Sequence, residues 1–220
     1  MSNDYSQAGI KADIEQSIRD QETMKDWWER AHARNHQVWL TGSEGAEVWQ
    51  RLEVMNRLKP GAIVLNIGVG LGHCTRQLAQ AACVVDVLDI APAALERVAG
   101  VARNGYLASA LHRLPSDTYD VALSHLVSQH MMDADLQTQI REVVRSLKPD
   151  GVFAIQFATS TLSVTPEQTP TAAKGGSNQR SPERVAELAQ QVGARVVLSQ
   201  AKEQFPDHNA GWHVVHIAKA

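Results

Sequence analysis

The sequence predicts an α/β fold in which a doubly wound parallel sheet carries helices on both faces. Three observations lead to this prediction. Strand-length apolar runs and helix-length amphipathic segments alternate from residue 62 onward. The apolar runs are hydrophobic almost throughout, which is typical of parallel strands buried on both faces. Closely spaced glycines follow the first run and open a helix. Repeated strand–helix units of this kind imply right-handed crossovers within one sheet.

The first sixty residues predict helices that precede the sheet. Ile10, Ile14 and Ile18 recur every four positions, which is the period of an apolar helix face. A second helix is predicted to carry four apolar side chains on one side, Val48, Leu52, Met55 and Leu58. We expect residues 1–60 to form a helical cap on the same domain as a core of residues 61–220. The tryptophans of this segment either fix the helices to the core or form a lid over a ligand.

The elements of the core follow in order along the chain. Strands are predicted at residues 62–67, 83–88, 106–108, 119–124, 152–157, 195–198 and 212–218. Helices are predicted with Cys74, Leu78 and Ala82 on one side, over residues 92–101, through residues 140–147, and from Ser181 onward. The polar segment 159–180 is about twenty residues long and predicts a substrate loop or a lid, because loops of this length within a domain are usually functional or disordered.

Composition excludes several classes of protein. The net charge of −3 and the pI near 6.3 do not fit a protein that binds a phosphate backbone, so no nucleic-acid partner is expected. The apolar runs are shorter than the roughly 20 residues of a membrane span, and the N-terminus lacks the pattern of a secretory signal. Two cysteines at this spacing predict no metal site. We therefore expect a cytoplasmic monomer or homodimer.

The glycine-rich turn predicts a nucleotide-like ligand. Gly68, Gly70 and Gly72 are spaced GxGxG, whereas a dinucleotide fingerprint would place its third glycine where this chain has His73. Asp89 ends the next strand, where a carboxylate can accept hydrogen bonds from the ribose hydroxyls of an adenosine ligand. The alternatives are that the glycines only permit close packing and that Asp89 only caps a helix.

Further segments occur in the order and spacing of a known family. Residues 64–72, 87–92, 114–115, 119–124 and 142–151 resemble the motifs of class I S-adenosylmethionine (SAM)-dependent methyltransferases, in particular the small-molecule branch with a methyltransferase type 11 domain. This resemblance implies a seven-stranded sheet whose last strand is antiparallel. It also implies SAM as cofactor, S-adenosylhomocysteine as product and a small-molecule acceptor.

The resemblance also implies which residues bind the cofactor. The candidates are Asn66, Gly68, Val69, Gly70, Gly72, Asp89, Ile90, Leu111, Ser124 and Leu126. By resemblance, the glycines line the methionine and ribose, Asp89 holds the ribose, and the segment 124–126 borders the sulfonium. Asn66 stands where the family usually has an acid, and Ala110 stands where it commonly has an aspartate, a role that Ser109 or His112 could take.

Histidines are the candidate catalytic residues, because a neutral imidazole is a suitable base near pH 7. His130 is the preferred base and His125 the second candidate, since both follow the carboxyl end of a central strand; each could instead only pack or orient the substrate. His36, Trp39 and His208 are candidate substrate residues.

The segment 36–43 resembles one in bacterial methyltransferases of sugar and polysaccharide biosynthesis. A sugar or glycoside is therefore the first acceptor to consider, followed by an amine or a phenol, with methylation on oxygen or nitrogen. The alternative function is a SAM-binding regulatory or assembly protein without catalysis. A nicotinamide oxidoreductase is disfavoured by the glycine spacing.

Overall fold

A computed structural model describes residues 16, 23–33, 45–160, 168, 178–205 and 210–220. The helices are α1 (Met24–Ala33), α2 (Gly45–Arg51), α3 (His73–Gln80), α4 (Pro92–Glu96), α5 (Asp133–Ser146) and α6 (Pro182–Gln191). The strands are β1 (Ile63–Ile67), β2 (Val84–Asp89), β3 (Asn104–Leu107), β4 (Tyr119–Ser124), β5 (Leu147–Ser160), β6 (Ala194–Phe205) and β7 (Ala210–Lys219). Short 3₁₀ turns occur at Met55–Arg57, Ala108–Arg113 and Ser128–His130.

The seven strands form one sheet in the order β3-β2-β1-β4-β5-β7-β6. Strands β1 to β5 pair in parallel, whereas β7 is antiparallel to both β5 and β6. This topology confirms the predicted doubly wound sheet with an antiparallel last strand. The strand order changes direction between β1 and β4, and open α/β sheets bind ligands at this kind of switch point.

Each face of the sheet has its own apolar core. One core packs the sheet against α5 and α6, with Val143 and Leu188 among its fully enclosed side chains. The other packs it against α2, α3 and α4, with Leu52 and Leu78 at its centre. The alternation of strands and amphipathic helices therefore produces three layers, as the sequence predicts. None of the helices described is long and apolar enough to cross a bilayer.

The prediction of a helix through residues 48–58 is wrong for its second half. Helix α2 ends at Arg51, Glu53 has a left-handed φ of 58°, and Met55 is 53% exposed. The chain turns here because Leu52 is buried and its carbonyl oxygen accepts a hydrogen bond of 2.6 Å from His216 Nε2 in β7. A contact more than 160 residues away along the chain thus ends the helix.

Other element boundaries also differ from the predictions. Helix α3 ends before Ala82, which is exposed with a φ of 58°, and α4 is only five residues long. Strand β6 has twelve residues and β7 has ten, because they pair with each other as an antiparallel hairpin. Polar side chains are tolerated on such strands, so the apolar pattern shows only part of their length. Helix α6 begins as predicted, and its N-cap Ser181 accepts a hydrogen bond from the Arg184 amide.

A buried carboxylate connects strands on one side of the sheet. Asp86 in β2 is fully enclosed and accepts hydrogen bonds from Arg103 Nε at 2.9 Å and Nη2 at 2.7 Å. It also accepts one from the Tyr119 hydroxyl at 2.8 Å and one from Asn104 Nδ2 at 3.1 Å. A buried charge is tolerated only when it is paired and hydrogen-bonded in this way.

We expect Asp86→Ala to lower the free energy of unfolding by about 2–4 kcal/mol, because it leaves the buried Tyr119 hydroxyl without its acceptor and Arg103 without its partner. Urea denaturation measures this loss. The control is Glu187→Ala, which breaks a surface pair with Arg184 and should cost less than about 1 kcal/mol. Equal losses for the two variants would contradict the role of Asp86.

Candidate functional site

A cavity of about 510 Å³ opens at the carboxyl ends of the central strands. Its walls come from the turn after β1, the turn after β2, the segment between β4 and α5, and helix α1. The strand order changes direction at this place, between β1 and β4. The cavity therefore lies where the sequence predicts the ligand site.

The glycine-rich turn forms one wall of the cavity. Gly68 and Gly70 line it, with left-handed φ values of 79° and 56°. A Cβ atom on Gly68 would lie 2.2 Å from Cγ2 of Val127, so only glycine fits between the two turns. Gly72 is not part of the lining, and a Cβ there would lie 2.5 Å from Val98 Cγ1. Gly72 thus allows α3 to start close to the chain after α4. For this glycine the structure favours the alternative that it only permits close packing.

Asp89 is buried beneath this turn with its carboxylate held by backbone amides. Oδ2 accepts a hydrogen bond from the Val69 amide at 2.7 Å, and Oδ1 accepts one from the Ala91 amide at 2.9 Å. Burial raises the pKa of Asp89, and these amides oppose the rise. The residue does not cap α4, whose N-cap is Ala91. Asp89 instead joins the turns that follow β1 and β2, and it lines the cavity.

His32 of α1 lies beside Asp89, and the sequence analysis did not single it out. Its ring is buried, and Nδ1 accepts or donates no hydrogen bond within the described residues. Burial lowers the pKa of His32, so the ring is neutral at pH 7. Arg97 donates a hydrogen bond of 2.6 Å to the His32 carbonyl oxygen. This bond fixes the end of α1 over the cavity.

Most of the other predicted cofactor residues also lie at the cavity. Its lining includes Asn66, Val69, Ile90, Leu111 and Leu126. Asn66 donates a hydrogen bond of 2.9 Å from Nδ2 to the Thr75 hydroxyl. Leu126 has a φ of 57°, a conformation that is unusual for leucine and is typical of strained functional turns.

Besides Gly72, three further residues that the sequence suggested for the cofactor are not part of the lining. Ser124 is fully buried at the end of β4, and its hydroxyl finds no partner among the described residues. Ser109 and His112 are exposed, so neither is placed to replace the missing aspartate at position 110. Neither position could be judged from the sequence, because the 3₁₀ turn Ala108–Arg113 decides which side chains point inward.

Both candidate catalytic histidines line the cavity. Burial, together with a smaller contribution from the nearby charge of Arg51, lowers the pKa of His125 to about 4. An imidazole with this pKa is a weak base, so His130 is the better candidate. The His130 ring lies 4.9 Å from the Trp28 ring at 66°, an edge contact between the segment after β4 and helix α1. Trp28 therefore both packs and lines the cavity.

The turn that carries His130 is fixed from the other side by a buried arginine. Arg180 is fully enclosed and donates hydrogen bonds to the carbonyl oxygens of Ser128 at 3.0 Å and Met131 at 2.5 Å. Its Nε also pairs with Asp133 Oδ1 at 2.8 Å. The Asn178 amide donates to the carbonyl oxygen of Gln129 at 2.8 Å. The end of the polar segment 159–180 thus holds the turn in place.

Helix α5 adds a polar wall that sequence reasoning missed. Asp135, Thr138 and Gln139 all line the cavity. Their spacing of i, i+3 and i+4 places them on one face of a helix, and this pattern directly after the histidine segment was the available signal. The cavity lining also includes residues that were not predicted as site residues, among them Met24, Val48, His73, Cys74 and Met131.

Some predicted features lie outside the described residues. These are His36, Trp39, His208, the helix with Ile10, Ile14 and Ile18, and most of the segment 159–180. Among the residues described, no group of three or more His, Cys, Asp or Glu side chains could hold a metal ion. Burial raises the pKa of Cys74 to about 11 and also raises that of Cys83, so both thiols are protonated at neutral pH.

Comparisons with known proteins agree with this fold. Residues 65–155 match the family model described as a methyltransferase domain. An uncharacterized methyltransferase of Synechocystis sp. is 34% identical over 115 residues, which cover 50% of this chain and 54% of that protein. The chain therefore spans about half the length of this curated relative.

Solved structures share the architecture at low identity. Phosphoethanolamine N-methyltransferase 2 of Haemonchus contortus, in complex with phosphomonomethylethanolamine and S-adenosylhomocysteine, has a TM-score of 0.67 at 19% identity over 90% of this chain and 60% of that one. The 1,6-didemethyltoxoflavin-N1-methyltransferase of Burkholderia thailandensis has a TM-score of 0.57 at 20% identity over 100% of this chain and 91% of that one. At these identities the likeness establishes the fold.

We expect Gly68→Ala to destabilise the protein by about 2–4 kcal/mol, because the new Cβ adds a clash with Val127 to the cost of a left-handed φ. Gly61→Ala is a matched control, since Gly61 has a φ of 82° but no atom within 4 Å of the new Cβ. It should lose only about 1–2 kcal/mol. Thermal or urea unfolding of both variants measures the difference, and equal losses would contradict the close approach at Gly68.

The low pKa of His125 predicts a pH-dependent stability. The unfolded chain protonates this histidine near pH 6.5 and the folded chain only near pH 4, so its contribution to the free energy of unfolding is present at neutral pH and is lost as the pH falls through that window. Between pH 8 and pH 5 the free energy of unfolding should fall in the parent protein. We expect this fall to be about 1–2 kcal/mol smaller in His125→Gln. Urea denaturation at both pH values tests this, and parallel losses would contradict it.

Proposed function

We propose that this protein, whose residues 65–155 match the model of a methyltransferase domain, is a class I SAM-dependent methyltransferase that binds SAM and transfers its methyl group to a small molecule. The observation that carries the proposal is the buried carboxylate of Asp89 in the cavity wall, directly beside the glycine-rich turn. A ribose with two neighbouring hydroxyls is a natural ligand for a carboxylate at this position.

The residues of the cavity fit a ligand with this chemistry. Gly68 and Gly70 present their backbone to the cavity, and a Cβ on Gly68 would clash with Val127. Ile90 and Leu111 supply apolar surface for a flat ring, and Leu126 lies near the ends of β1 and β4. His32 adds a buried nitrogen without a hydrogen-bond partner in the described residues, and we propose it as a further ribose contact.

When bound, SAM supplies a methyl group on a positively charged sulfur that needs an in-line nucleophile. The protein has to orient the acceptor and exclude water, and good positioning alone can provide much of the acceleration. We propose that His130 accepts a proton from the acceptor. His125 is neutral at pH 7 because burial lowers its pKa, so it acts as a hydrogen-bonding and packing group. Trp28 and His130 together close the cavity towards α1.

The acceptor atom is an oxygen or a nitrogen in this proposal. A sugar or glycoside is the acceptor that the segment 36–43 suggests, with His36, Trp39 and His208 as its contacts. These residues lie outside the described part of the chain, so the suggestion rests on sequence resemblance. A cytoplasmic location and a monomeric or homodimeric state likewise stay predictions from the sequence.

A second candidate is a protein that binds SAM without catalysis and serves a regulatory or assembly role. Asn66 motivates it, because the amide occupies a usual acid position and is already engaged with Thr75. Calorimetry with S-adenosylhomocysteine tests binding, and absence of heat would contradict both candidates. Transfer of a labelled methyl group from SAM to sugars, phenols and amines then separates the enzyme from the non-catalytic binder.

We expect Asp89→Ala to weaken S-adenosylhomocysteine binding by about 1.5–3 kcal/mol, the range for a hydrogen bond to a charged group. The substitution also releases the Val69 and Ala91 amides, so stability should fall as well. Asp89→Asn keeps an acceptor oxygen and should retain more of the stability while still losing affinity. Calorimetry and urea denaturation measure the two effects, and unchanged affinity in both variants would refute the ribose role.

His130→Ala should lower turnover by about 10²–10⁴-fold if His130 is the base, with affinity for S-adenosylhomocysteine retained within about twofold. Single-turnover kinetics and calorimetry measure the two quantities. His112→Ala is the control, because His112 is exposed and lies outside the cavity lining. Full turnover in His130→Ala would mean that the acceptor needs no base from this residue.

A further inference from the structure

Five side chains of the cavity lining are not used in the cofactor contacts proposed above. Trp28 lies on α1, His130 on the turn after β4, and Asp135, Thr138 and Gln139 on one face of α5. None of these five was needed to explain how the cofactor could bind. Their chemistry therefore bears on the acceptor.

Asp135 is a charge that the described structure leaves unpaired. Asp133, two residues earlier, is fully engaged: it pairs with Arg180 at 2.8 Å and Arg184 at 2.7 Å, and it hydrogen-bonds Gln168. Asp135 makes no ion pair with any residue of the described ranges; it is exposed to solvent and also lines the cavity. The two arginines near the start of α5 are thus both directed to Asp133.

Gln139 adds a second acceptor of hydrogen bonds on the same face of α5. Its side chain is 2% exposed and lines the cavity, yet its Oε1 receives no hydrogen bond within the described residues. A buried amide oxygen without a donor costs free energy unless a ligand supplies one. A group that donates several hydrogen bonds would satisfy both Gln139 and Asp135.

An aromatic ring completes the set. Trp28 is half-buried, and its contact with His130 is edge-on at 66°. An indole attracts cations through its electron-rich face, and a carboxylate that lines the same cavity adds to that preference. A phosphate or carboxylate on the acceptor would meet repulsion from Asp135 at the same place.

On the basis of the proposed function, we infer that the acceptor is an amine that enters as an ammonium ion recognised by Asp135, Gln139 and Trp28. The ammonium gives one proton to the His130 ring, and its nitrogen keeps the electron pair. That pair forms the new N–CH₃ bond, while the sulfur retains the electrons of the broken S–CH₃ bond and becomes an uncharged thioether. An amino sugar would fit this chemistry together with the sugar that the segment 36–43 suggests.

The test compares matched probes that differ in charge. Benzylamine, benzyl alcohol and benzoate form one set, and tryptamine, indole-3-ethanol and indole-3-acetate form another. Their affinities are measured by calorimetry on the full chain saturated with S-adenosylhomocysteine. We expect the amine of at least one set to bind about two- to fivefold more tightly than the alcohol, the range for an exposed ion pair, and the carboxylate to bind most weakly.

Variants assign the preference to a residue. Asp135→Asn should remove the advantage of the amine over the alcohol, and Asp135→Lys should make the carboxylate the preferred member. Asp150→Asn is the control, because Asp150 is exposed and outside the cavity lining, and it should leave the order unchanged. Gln139→Leu should weaken the amine and the alcohol but affect the carboxylate less.

The outcomes separate this inference from the proposed function. If S-adenosylhomocysteine binds but no amine exceeds its alcohol and carboxylate in either set, the amine inference is overturned and the cofactor proposal stands. A preference that persists in Asp135→Asn also overturns it. If S-adenosylhomocysteine itself gives no heat, the proposed function fails and the inference fails with it.

Discussion

The carboxylate of Asp89 is the contact on which the site depends. It lies at the end of β2 and accepts hydrogen bonds from the amides of Val69 and Ala91, so it joins the turns that follow two neighbouring strands. A carboxylate that is 6% exposed needs such donors, because an isolated buried charge would protonate. On its other side the glycine-rich turn lies against Val127, which is possible only because Gly68 has no side chain. The same group therefore builds the cavity and gives it a negative pole.

A second set of contacts fixes the opposite wall. Arg180 lies at the end of the polar segment, yet it is fully buried and holds the carbonyl oxygens of Ser128 and Met131. A buried guanidinium requires a counter-charge, and Asp133 supplies it at the first turn of α5. This arrangement positions His130. Both nearby arginines pair with Asp133, so Asp135, which lines the cavity, has no ion pair among the described residues.

Burial distinguishes four histidines with a lowered pKa from the histidine that we propose as the base. It lowers the pKa of His32, His125, His213 and His216, so these rings are neutral near pH 7. His216 is structural, since it hydrogen-bonds the Leu52 carbonyl oxygen, and His213 contacts Ser199. His125 has a pKa of about 4 and is a poor base despite its place in the cavity. His130, on the turn after β4, is therefore the base that we propose.

Apolar runs and a glycine-rich turn are local signals, so they were enough to predict the doubly wound sheet and a ligand site at the ends of its strands. Asp89, His125 and His130 were candidates because they lie at or just after strand ends; all three line the cavity, and their roles stay predictions. The break after α2 was decided only by the tertiary structure, since it depends on a bond between Leu52 and His216. The tertiary structure also decides that Asp133 is paired and Asp135 is not, because Arg180 and Arg184, which lie far along the chain, both pair with Asp133. Neighbouring residues with the same chemistry differ only through the partners that folding brings to them.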